Sequence, residues 1–324
     1  MPGAVFISTT SFGRYETGPL DALKRSALQP VLNPLGRTLK PEEISHYAGQ
    51  CVGIIAGTEP YSQATFARLP HLKVISRCGV GMDGIDLAAA AQRGIAVVST
   101  PDGPTSAVAE LTVGLLVNLI RQVDAAHVRL TRGVWEKSMG FLVSELTIGL
   151  FGFGRIGKRV AAILRAFEAT VIGCDLNPDR AWAAKHGVGL KTWEELLKAS
   201  DVLSLHVPYG LELHHVIGAR ELAMMKSGSY LINTSRGGLI DEEALYQALT
   251  SGRLRGAALD TFEQEPYTGP LRELDNVILT PHIGSYARAA RVQMERQAVE
   301  NLLDALQRLK VLDGPVEAVE VDGG

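Results

Sequence analysis

Short runs of β-branched and aliphatic residues recur along the first hundred positions, and polar or helix-period segments separate them. The runs occupy positions 5–7, 52–55, 74–75 and 95–98. Strands that alternate with helices are typical of βαβ units, whose strands lie parallel in one sheet. The first third of the chain is therefore predicted to form a parallel α/β layer.

A second series of apolar runs follows, at positions 147–151, 171–174, 202–206, 230–233, 257–260 and 277–280. The segments between them read as helices. One carries an apolar face at spacings of three and four, formed by Ile156, Val160, Ile163, Leu164 and Phe167. Thr192 and Glu195 have the spacing of a capping box for a helix through Leu197, and Gly252 is placed to end a helix over 241–249. A second parallel sheet is predicted.

Two turn-rich points divide the chain. Residues 100–104 precede a long helical stretch over 107–121, and Gly284 precedes a helix predicted over 286–309, with a strand at 316–321. These boundaries predict a domain of residues 101–284 inserted into a discontinuous domain of residues 1–100 and 285–324. The predicted fold class is therefore two-domain α/β.

Composition narrows the class of protein. The 324 residues are 46% hydrophobic and 21% charged, and their net charge of −3 gives no reason to expect nucleic acid or membrane as a partner. No apolar run is long enough to span a bilayer, and Met1-Pro2-Gly3 begins no signal peptide. Cysteines 51, 78 and 174 lack metal-ligand spacing, so reduced thiols in the cytoplasm are expected, with no metal. His214-His215 has no partner spacing for a metal either.

A glycine-rich turn joins the strand at 147–151 to the helix that follows it. The turn reads Gly152-Phe153-Gly154-Arg155-Ile156-Gly157, the spacing that lets backbone N–H groups at a helix start approach a pyrophosphate. Asp175 ends the next strand, 18 residues beyond Gly157, near the spacing of the acid that binds the ribose hydroxyls. A carboxylate there would repel a 2′-phosphate, so NAD is favoured over NADP. The alternative is a structural glycine turn beside a surface aspartate.

Several further segments, in the same order along the chain, are similar to those of one enzyme family. They are 77–83, 107–110, 205–208, 232–241, 258–260, 265–266 and 280–285. With the glycine turn, they make residues 52–309 resemble the D-2-hydroxyacid dehydrogenases, and most of all the phosphoglycerate dehydrogenase branch. The resemblance implies two Rossmann or flavodoxin-like domains, the inserted one binding NAD, and a homodimer joined through an arm at 107–135. Because only about 40 residues follow His282, the regulatory domains appended to some phosphoglycerate dehydrogenases are expected to be absent.

The resemblance assigns catalysis to Arg236, Glu265 and His282, and chemistry supports each assignment. A guanidinium can hold a substrate carboxylate with two hydrogen bonds. An imidazole, whose ordinary pKa is roughly 6.5, can accept the hydroxyl proton as hydride leaves, and a carboxylate beside it fixes its tautomer. Taken singly, the three residues could be a surface arginine, a loop charge and a loop histidine. Together with the glycine turn they predict a 2-hydroxy acid dehydrogenase.

The resemblance also implies further binding residues. Cofactor contacts are expected from His206, Val207, Pro208, Thr234, Asp260 and Thr105, in addition to Gly152, Gly154, Arg155, Ile156, Gly157 and Asp175. Substrate contacts are expected from Arg236, His282, Arg77 and the backbone N–H groups of Val80 and Gly81, which can form an anion nest.

The sequence departs from the family pattern at two places. Gly84 follows Asp83 where asparagine is common, and the loop Ala56-Gly57-Thr58-Glu59 lacks the arginine that many phosphoglycerate-type members carry. A carboxylate in place of that cation argues against a 3-phospho substrate, or for another way of binding one. Arg14, Arg77, Arg121 and Lys137 remain partners for a distal anion. Hydroxypyruvate or glycerate, 3-phosphoglycerate, a sulfonated analogue and other short 2-hydroxy acids stay open.

A binding protein is the competing hypothesis. C-terminal-binding corepressors share the fold and the catalytic residues but use NAD as a conformational ligand, and they usually carry long disordered tails. No such tail is expected here, which favours the enzyme.

Overall fold

The computed structural model of the chain describes residues 3–312, which fall into two compact units. Unit 1 comprises Met1–Pro104 and Ser285–Gly324, and unit 2 comprises Thr105–Gly284. The chain therefore leaves unit 1 after Pro104, four residues later than predicted, because the first helix of unit 2 begins at Thr105. The strand predicted at 316–321 lies outside the described residues.

The amino-terminal part of unit 1 alternates strands and helices. In chain order these are β1 (Ala4–Ile7), α1 (Gly18–Arg25), β2 (Gln29–Leu32), α2 (Pro41–Ala48), β3 (Cys51–Ala56), α3 (Gln63–Ala67), β4 (Val74–Arg77), α4 (Leu87–Gln92) and β5 (Ala96–Ser99). The strands pair in parallel in the order β2-β1-β3-β4-β5, which is the flavodoxin-like order. The four predicted strands are confirmed, and β2 is an edge strand that the sequence interpretation missed.

Unit 2 opens with two consecutive helices and continues with alternating strands and helices. They are α5 (Thr105–Arg121), α6 (Val123–Thr131), β6 (Thr147–Phe151), α7 (Arg155–Ala166), β7 (Thr170–Cys174), α8 (Arg180–His186), β8 (Gly189–Leu190), α9 (Trp193–Ala199), β9 (Val202–Leu205), α10 (Ala219–Met224), β10 (Ser229–Asn233), α11 (Glu242–Thr250), β11 (Leu254–Leu259) and β12 (Val277–Leu279). Short 3₁₀ turns lie at Val143–Glu145, Leu211–Leu213, Gly237–Leu239 and Pro270–Glu273.

The sheet of unit 2 is parallel and has the order β12-β11-β10-β9-β6-β7-β8. Strand β6, the fifth in this order, pairs with β7 on one side and with β9 on the other, so the direction of the connections reverses there. In open parallel sheets, ligands bind outside the carboxyl ends of the strands at such a reversal. The predicted α/β class with two parallel sheets is confirmed. The switch point lies at the carboxyl ends of β6 and β9, where a ligand-binding site is expected.

The final helix, α12 (Arg288–Arg308), belongs to unit 1 and covers one face of its sheet. Leu302 is fully buried, and a Cβ added to Gly53 on β3 would lie 3.0 Å from its Cδ1. The hydroxyl of Ser76 on β4 donates to the carbonyl of Ala298 at 2.7 Å. Since successive strand residues point to opposite faces, Ile7 of β1 packs with α12 whereas its neighbour Phe6 packs under α2 and α3.

The predicted helix signals in unit 2 are largely confirmed. Thr192 Oγ1 accepts from the N–H of Glu195 at 3.4 Å, and Glu195 Oε2 accepts from the N–H of Thr192 at 2.8 Å, which completes the capping box of α9. The apolar face of α7 is correct for Val160 and Leu164, which are fully buried. It is wrong for Phe167, which is 45% exposed because it follows the last residue of the helix.

None of the helices in the described residues is by itself both long and apolar enough to cross a membrane. Helices α5 and α6 meet that criterion only when taken together, and the chain bends by 59° between them.

Candidate active site

The glycine turn follows β6 at the switch point. Gly152 has a left-handed φ of 96°, and a Cβ there would lie 2.5 Å from the carbonyl carbon of His206. A Cβ on Gly157 would lie 2.2 Å from the carbonyl oxygen of Gly152. Around a Cβ on Gly154, by contrast, no heavy atom of residues 3–312 lies within 4 Å, apart from those of its two neighbours in the chain. The first and third glycines are therefore required by the protein's own packing, whereas the second leaves space for a ligand.

Asp175 lies beside that turn. Its Oδ2 accepts from the N–H of Phe153 at 2.6 Å, and its Oδ1 accepts from the N–H of Asn177 at 2.8 Å. A carboxylate offers about four lone-pair sites, so acceptor capacity remains for hydroxyl groups. Arg155 and Ile156 open α7, whose first N–H groups have no partner inside the helix. The arrangement fits a dinucleotide, with the pyrophosphate on the helix start and the ribose hydroxyls on Asp175.

His206 comes directly after β9, and Val207 and Pro208 follow it in the loop. Its Nε2 lies 3.0 Å from the hydroxyl of Ser204. Burial lowers the pKa of His206 to about 4, because enclosure by protein atoms disfavours the charged ring. At ordinary pH the imidazole of His206 is therefore uncharged, and it lines the site without contributing charge.

Two threonines that the sequence predicted as cofactor contacts also belong to unit 2. Thr234, just beyond β10, is buried, and its hydroxyl lies 2.8 Å from that of Thr112 on α5. Thr105 begins α5, and its buried hydroxyl has no hydrogen-bond partner among residues 3–312. An unsatisfied buried hydroxyl calls for an explanation, and a bound ligand would supply one.

Glu265 and His282 are in direct contact. Nδ1 of His282 lies 2.8 Å from Oε2 and 3.1 Å from Oε1 of Glu265, and the N–H of Phe262 donates to the same Oε1 at 3.2 Å. Burial by itself would raise the pKa of Glu265, but the hydrogen bond and charge of His282, the N–H of Phe262 and the charge of Arg236 together outweigh it, so the pKa is lowered overall. The carboxylate is thus ionised and oriented onto one nitrogen of the imidazole, which leaves Nε2 for other chemistry.

Arg236 lies next to this pair. Its loop follows β10, where the amide of Asn233 donates to the carbonyl of Arg236 at 2.8 Å. A Cβ on Gly237 would lie 1.8 Å from the carbonyl carbon of Phe262, so the arginine loop packs directly on the backbone that leads to Glu265. The positive charge of Arg236 is among the smaller causes that lower the pKa of Glu265. The structure therefore brings the three predicted catalytic residues together within unit 2.

Asp260 holds the loop that carries His282. Its carboxylate accepts from the Thr280 hydroxyl at 2.6 Å and from the N–H groups of Ile283 and Gly284 at 2.8 Å each. The side chain is 1% exposed, and burial raises its pKa although these donors oppose the rise. The sequence predicted a cofactor contact for Asp260 and gave no sign of this anchoring.

His282 itself has a left-handed φ of 54°. A non-glycine residue in that region costs about 1–3 kcal/mol, and such residues cluster at functional sites. The hydrogen bonds of Asp260 to the next two N–H groups, and that of the His282 N–H to the Thr280 carbonyl at 2.9 Å, maintain the conformation.

The remaining predicted substrate residues lie in unit 1, in the loop after β4. Arg77 ends that strand, and its Nη1 donates to the carbonyl of Cys78 at 2.5 Å. The guanidinium lies over Gly79, where an added Cβ would be 2.6 Å from Nη1. Val80 is 43% exposed and Gly81 is half-buried. Their assignment to a substrate carboxylate stays a prediction.

Glu59, in the loop that lacks the family arginine, is buried with 3% exposure. Its Oε1 accepts from the Tyr61 hydroxyl at 2.6 Å, from the N–H of Gly57 at 2.9 Å and from the Ser8 hydroxyl. The carboxylate therefore serves the internal structure of this loop.

Comparison with known proteins shows which family the chain belongs to. The sequence model described as "D-isomer specific 2-hydroxyacid dehydrogenase, NAD binding domain" matches residues 113–284. The glyoxylate reductase of Thermofilum pendens is 43% identical over 249 residues, which are 74% of this chain and 73% of the reductase. The chain therefore belongs to the D-2-hydroxyacid dehydrogenase family, as its motifs predicted, and unit 2 contains the family's NAD-binding domain.

The chain is also similar to two other proteins, one by sequence and one by structure. The D-3-phosphoglycerate dehydrogenase of Methanocaldococcus jannaschii is 43% identical over 247 residues, which are 75% of this chain but only 46% of that enzyme. The chain thus spans less than half the length of that relative. The crystal structure of D-lactate dehydrogenase from Aquifex aeolicus, complexed with NAD and lactic acid, superposes with a TM-score of 0.82 at 29% identity, covering 97% of this chain and all of that one.

Proposed function

We propose that this protein transfers a hydride between NAD(H) and a small D-2-hydroxy acid or its 2-oxo counterpart. The observation that carries the proposal is the contact between Glu265 and His282 with Arg236 beside it, in the same unit as the glycine turn. Neither a surface ion pair nor a structural glycine turn would require all four features together.

His282 is the proposed general acid and base. Because Nδ1 faces the Glu265 carboxylate at 2.8 Å, that nitrogen carries the proton and Nε2 is the basic one. Nε2 would accept the proton of the substrate's 2-hydroxyl during oxidation and return it to the 2-oxygen during reduction. Glu265 would stabilise the imidazolium formed in the first case. Bound NAD supplies the hydride acceptor for this chemistry.

Arg236 is proposed to bind the substrate carboxylate and to polarise the 2-oxygen, because a guanidinium presents paired donors that match a carboxylate. The N–H groups of Val80 and Gly81, and the cation of Arg77, are retained as proposed contacts for the same carboxylate.

The proposed cofactor is NAD rather than NADP. Asp175 is held at the end of β7 by two backbone N–H groups, so its charge cannot easily turn away from a ribose. A 2′-phosphate there would meet a fixed negative charge, which is unfavourable at close range.

The proposed substrate is a short acid without a phosphate. In unit 1 the loop 56–59 carries no cation, and the donors of its own neighbourhood already occupy its buried carboxylate, so this loop offers a phosphate no partner. Glyoxylate and hydroxypyruvate fit this description, whereas 3-phosphoglycerate needs a cation from elsewhere.

We also propose a cytoplasmic homodimer. Support for the compartment comes from the three cysteines, each a free thiol. Support for the dimer comes from apolar side chains exposed along α6 and the segment after it, namely Val123, Leu130, Val134, Trp135, Met139 and Leu142. Patches of this kind mark protein interfaces. Sedimentation equilibrium of the wild type and of Trp135→Glu tests the assembly, and a monomeric wild type would refute it.

The decisive experiment is a panel of 2-oxo acids with NADH, followed by the near-ultraviolet absorbance of the reduced nicotinamide. The panel contains glyoxylate, hydroxypyruvate, pyruvate and 3-phosphohydroxypyruvate. Turnover is expected with at least one unphosphorylated acid, and His282→Gln should lower kcat by about 10²–10⁴ while NADH still binds. His71→Gln, an exposed histidine of unit 1, is the control and should keep wild-type turnover.

Two results would overturn the proposal. Tight NADH binding without turnover of any acid would favour the corepressor type of protein. Full activity of His282→Gln would remove the assigned acid–base role.

A further inference from the structure

A cluster of metal-ligating side chains lies outside the proposed active site. His214 and His215 belong to the loop after β9, and Glu263 belongs to the segment after β11. Their ligand atoms all lie within 4.8 Å of one another. The sequence interpretation found no metal partner for the two histidines, because Glu263 is 48 residues away from His215 in the chain. The fold supplies that partner.

The three side chains already contact each other. Nε2 of His215 is hydrogen-bonded to Oε1 of Glu263, and the rings of His214 and His215 stack with centroids 3.8 Å apart and 25° between their planes. His214 is exposed and His215 is half-buried, so an ion can enter from solvent.

The groups behind the cluster orient it as the outer partners of a metal site would. The Tyr209 hydroxyl lies 3.1 Å from Nδ1 of His214, so Nδ1 is the engaged nitrogen and Nε2 is the one left for a ligand bond. Metal-binding histidines almost always engage their second nitrogen in this way. The N–H of Glu263 donates to Glu242 Oε1 at 2.9 Å, and the N–H of His215 donates to the Gly238 carbonyl at 2.9 Å. Both backbones are thereby fixed.

We propose that His214, His215 and Glu263 bind one divalent transition-metal ion of the zinc type. Two imidazole nitrogens and one carboxylate oxygen form a ligand set that suits Zn²⁺, with the fourth position left to water. Zinc–nitrogen bonds of about 2.0–2.1 Å in a tetrahedron place ligand atoms roughly 3.3 Å apart, which is closer than the widest present separation. Small shifts of the Glu263 and His215 side chains toward His214 would close the gap and keep the Tyr209 hydrogen bond.

The site is distinct from the proposed catalytic residues. Glu265 lies two residues beyond Glu263, but its partners are His282 and the N–H of Phe262, and neither is a ligand. Metal binding would fasten the β9 loop to the segment after β11. It can therefore be tested without measuring turnover.

The test is isothermal titration of the untagged full chain with Zn²⁺ alone, in a buffer that does not chelate it. One ion per chain is expected. His214→Ala and Glu263→Gln should each weaken binding at least about tenfold, and Tyr209→Phe, which keeps the ring but removes the hydroxyl, about tenfold. His71→Ala, which removes an exposed histidine elsewhere, should bind like the wild type. At one fixed Zn²⁺ concentration, the thermal midpoint should rise equally in the wild type and in His71→Ala, and less in the other variants.

Far-ultraviolet circular dichroism and NADH binding confirm that each variant is folded. The proposal is overturned if the wild type binds no Zn²⁺ in large molar excess, or if His214→Ala and Glu263→Gln bind as tightly as the wild type. In either case His215 and Glu263 form a simple hydrogen-bonded pair.

Discussion

Alanine at position 157 and alanine at position 154 should have separable effects, although both remove a glycine from the same turn. At Gly157 the new Cβ would lie 2.2 Å from the carbonyl oxygen of Gly152, which belongs to the backbone and cannot rotate away. The start of α7 must then move by roughly 1 Å, and such overpacking typically costs about 1–3 kcal/mol. For a chain of this size each kcal/mol lowers the thermal midpoint by about 2–4 °C, so a drop of roughly 2–12 °C is expected.

At Gly154 the same substitution meets no heavy atom of the described residues within 4 Å beyond its two chain neighbours, and the residue has an ordinary φ of −80°. The free energy of unfolding should therefore change by less than about 0.5 kcal/mol. The methyl group would instead occupy the space assigned to the pyrophosphate, so NADH affinity should fall at least about tenfold, or 1.4 kcal/mol.

Two measurements separate these effects, namely the thermal midpoint without cofactor and a fluorescence titration with NADH. Gly157→Ala should lower both the thermal midpoint and the NADH affinity, whereas Gly154→Ala should lower only the NADH affinity. Wild-type NADH affinity in Gly154→Ala would refute the placement of the pyrophosphate at this turn. An unchanged midpoint in Gly157→Ala would refute the steric reasoning.

Three further predictions concern charge. Glu265→Gln should lower kcat about 10- to 100-fold and leave NADH affinity unchanged, because a charge-assisted hydrogen bond to His282 becomes a neutral one. The amide can also favour the wrong tautomer of the His282 imidazole. The control Glu243→Gln alters only an exposed face of α11 and should keep wild-type kcat. The folded-state pKa of His206, about 4, lies below that of a free imidazole. As the pH falls, the unfolded chain therefore binds a proton at this residue before the folded chain does. The free energy of unfolding should thus decrease by about 2 kcal/mol from roughly pH 7 to pH 5. Urea unfolding at both pH values should show less of this loss in His206→Asn, and an equal loss would contradict the assignment. Asp175→Ala should reduce the preference for NADH over NADPH about tenfold in kcat/KM, and an unchanged ratio would show that another group sets it.

The sequence predicted a strand correctly wherever that strand is a continuous run of buried apolar residues. The run at 147–151 matches β6, because each of its central residues is buried between helices on both faces of the sheet. Strand β2 was missed because Gln29-Pro30-Val31-Leu32 is half-exposed at an edge and interrupted by proline. Strand β8 was missed because two residues carry no periodicity.

For the candidate site, the sequence predicted which residues take part but not how they are arranged. Motif spacing indicated Arg236, Glu265 and His282, but the short distance between the last two depends on loops whose paths no local pattern fixes. The anchoring role of Asp260 depends on the pairing of β11 with β12, which places Thr280 beside it. That neighbour relation could have been inferred from the order of the strands.

The position of α12 has a consequence for the synthesis of this protein. One face of the first sheet, including Gly53 on β3 and Ser76 on β4, is covered by a helix encoded about two hundred residues after β5. At roughly 5–20 residues per second, the ribosome needs about 10–40 s to supply that helix. During this interval the nascent sheet exposes an apolar surface, and a chain that stops after Gly284 would never cover it. Premature termination near that point should therefore yield an aggregation-prone fragment that depends on chaperones, even though every proposed catalytic residue has already been translated.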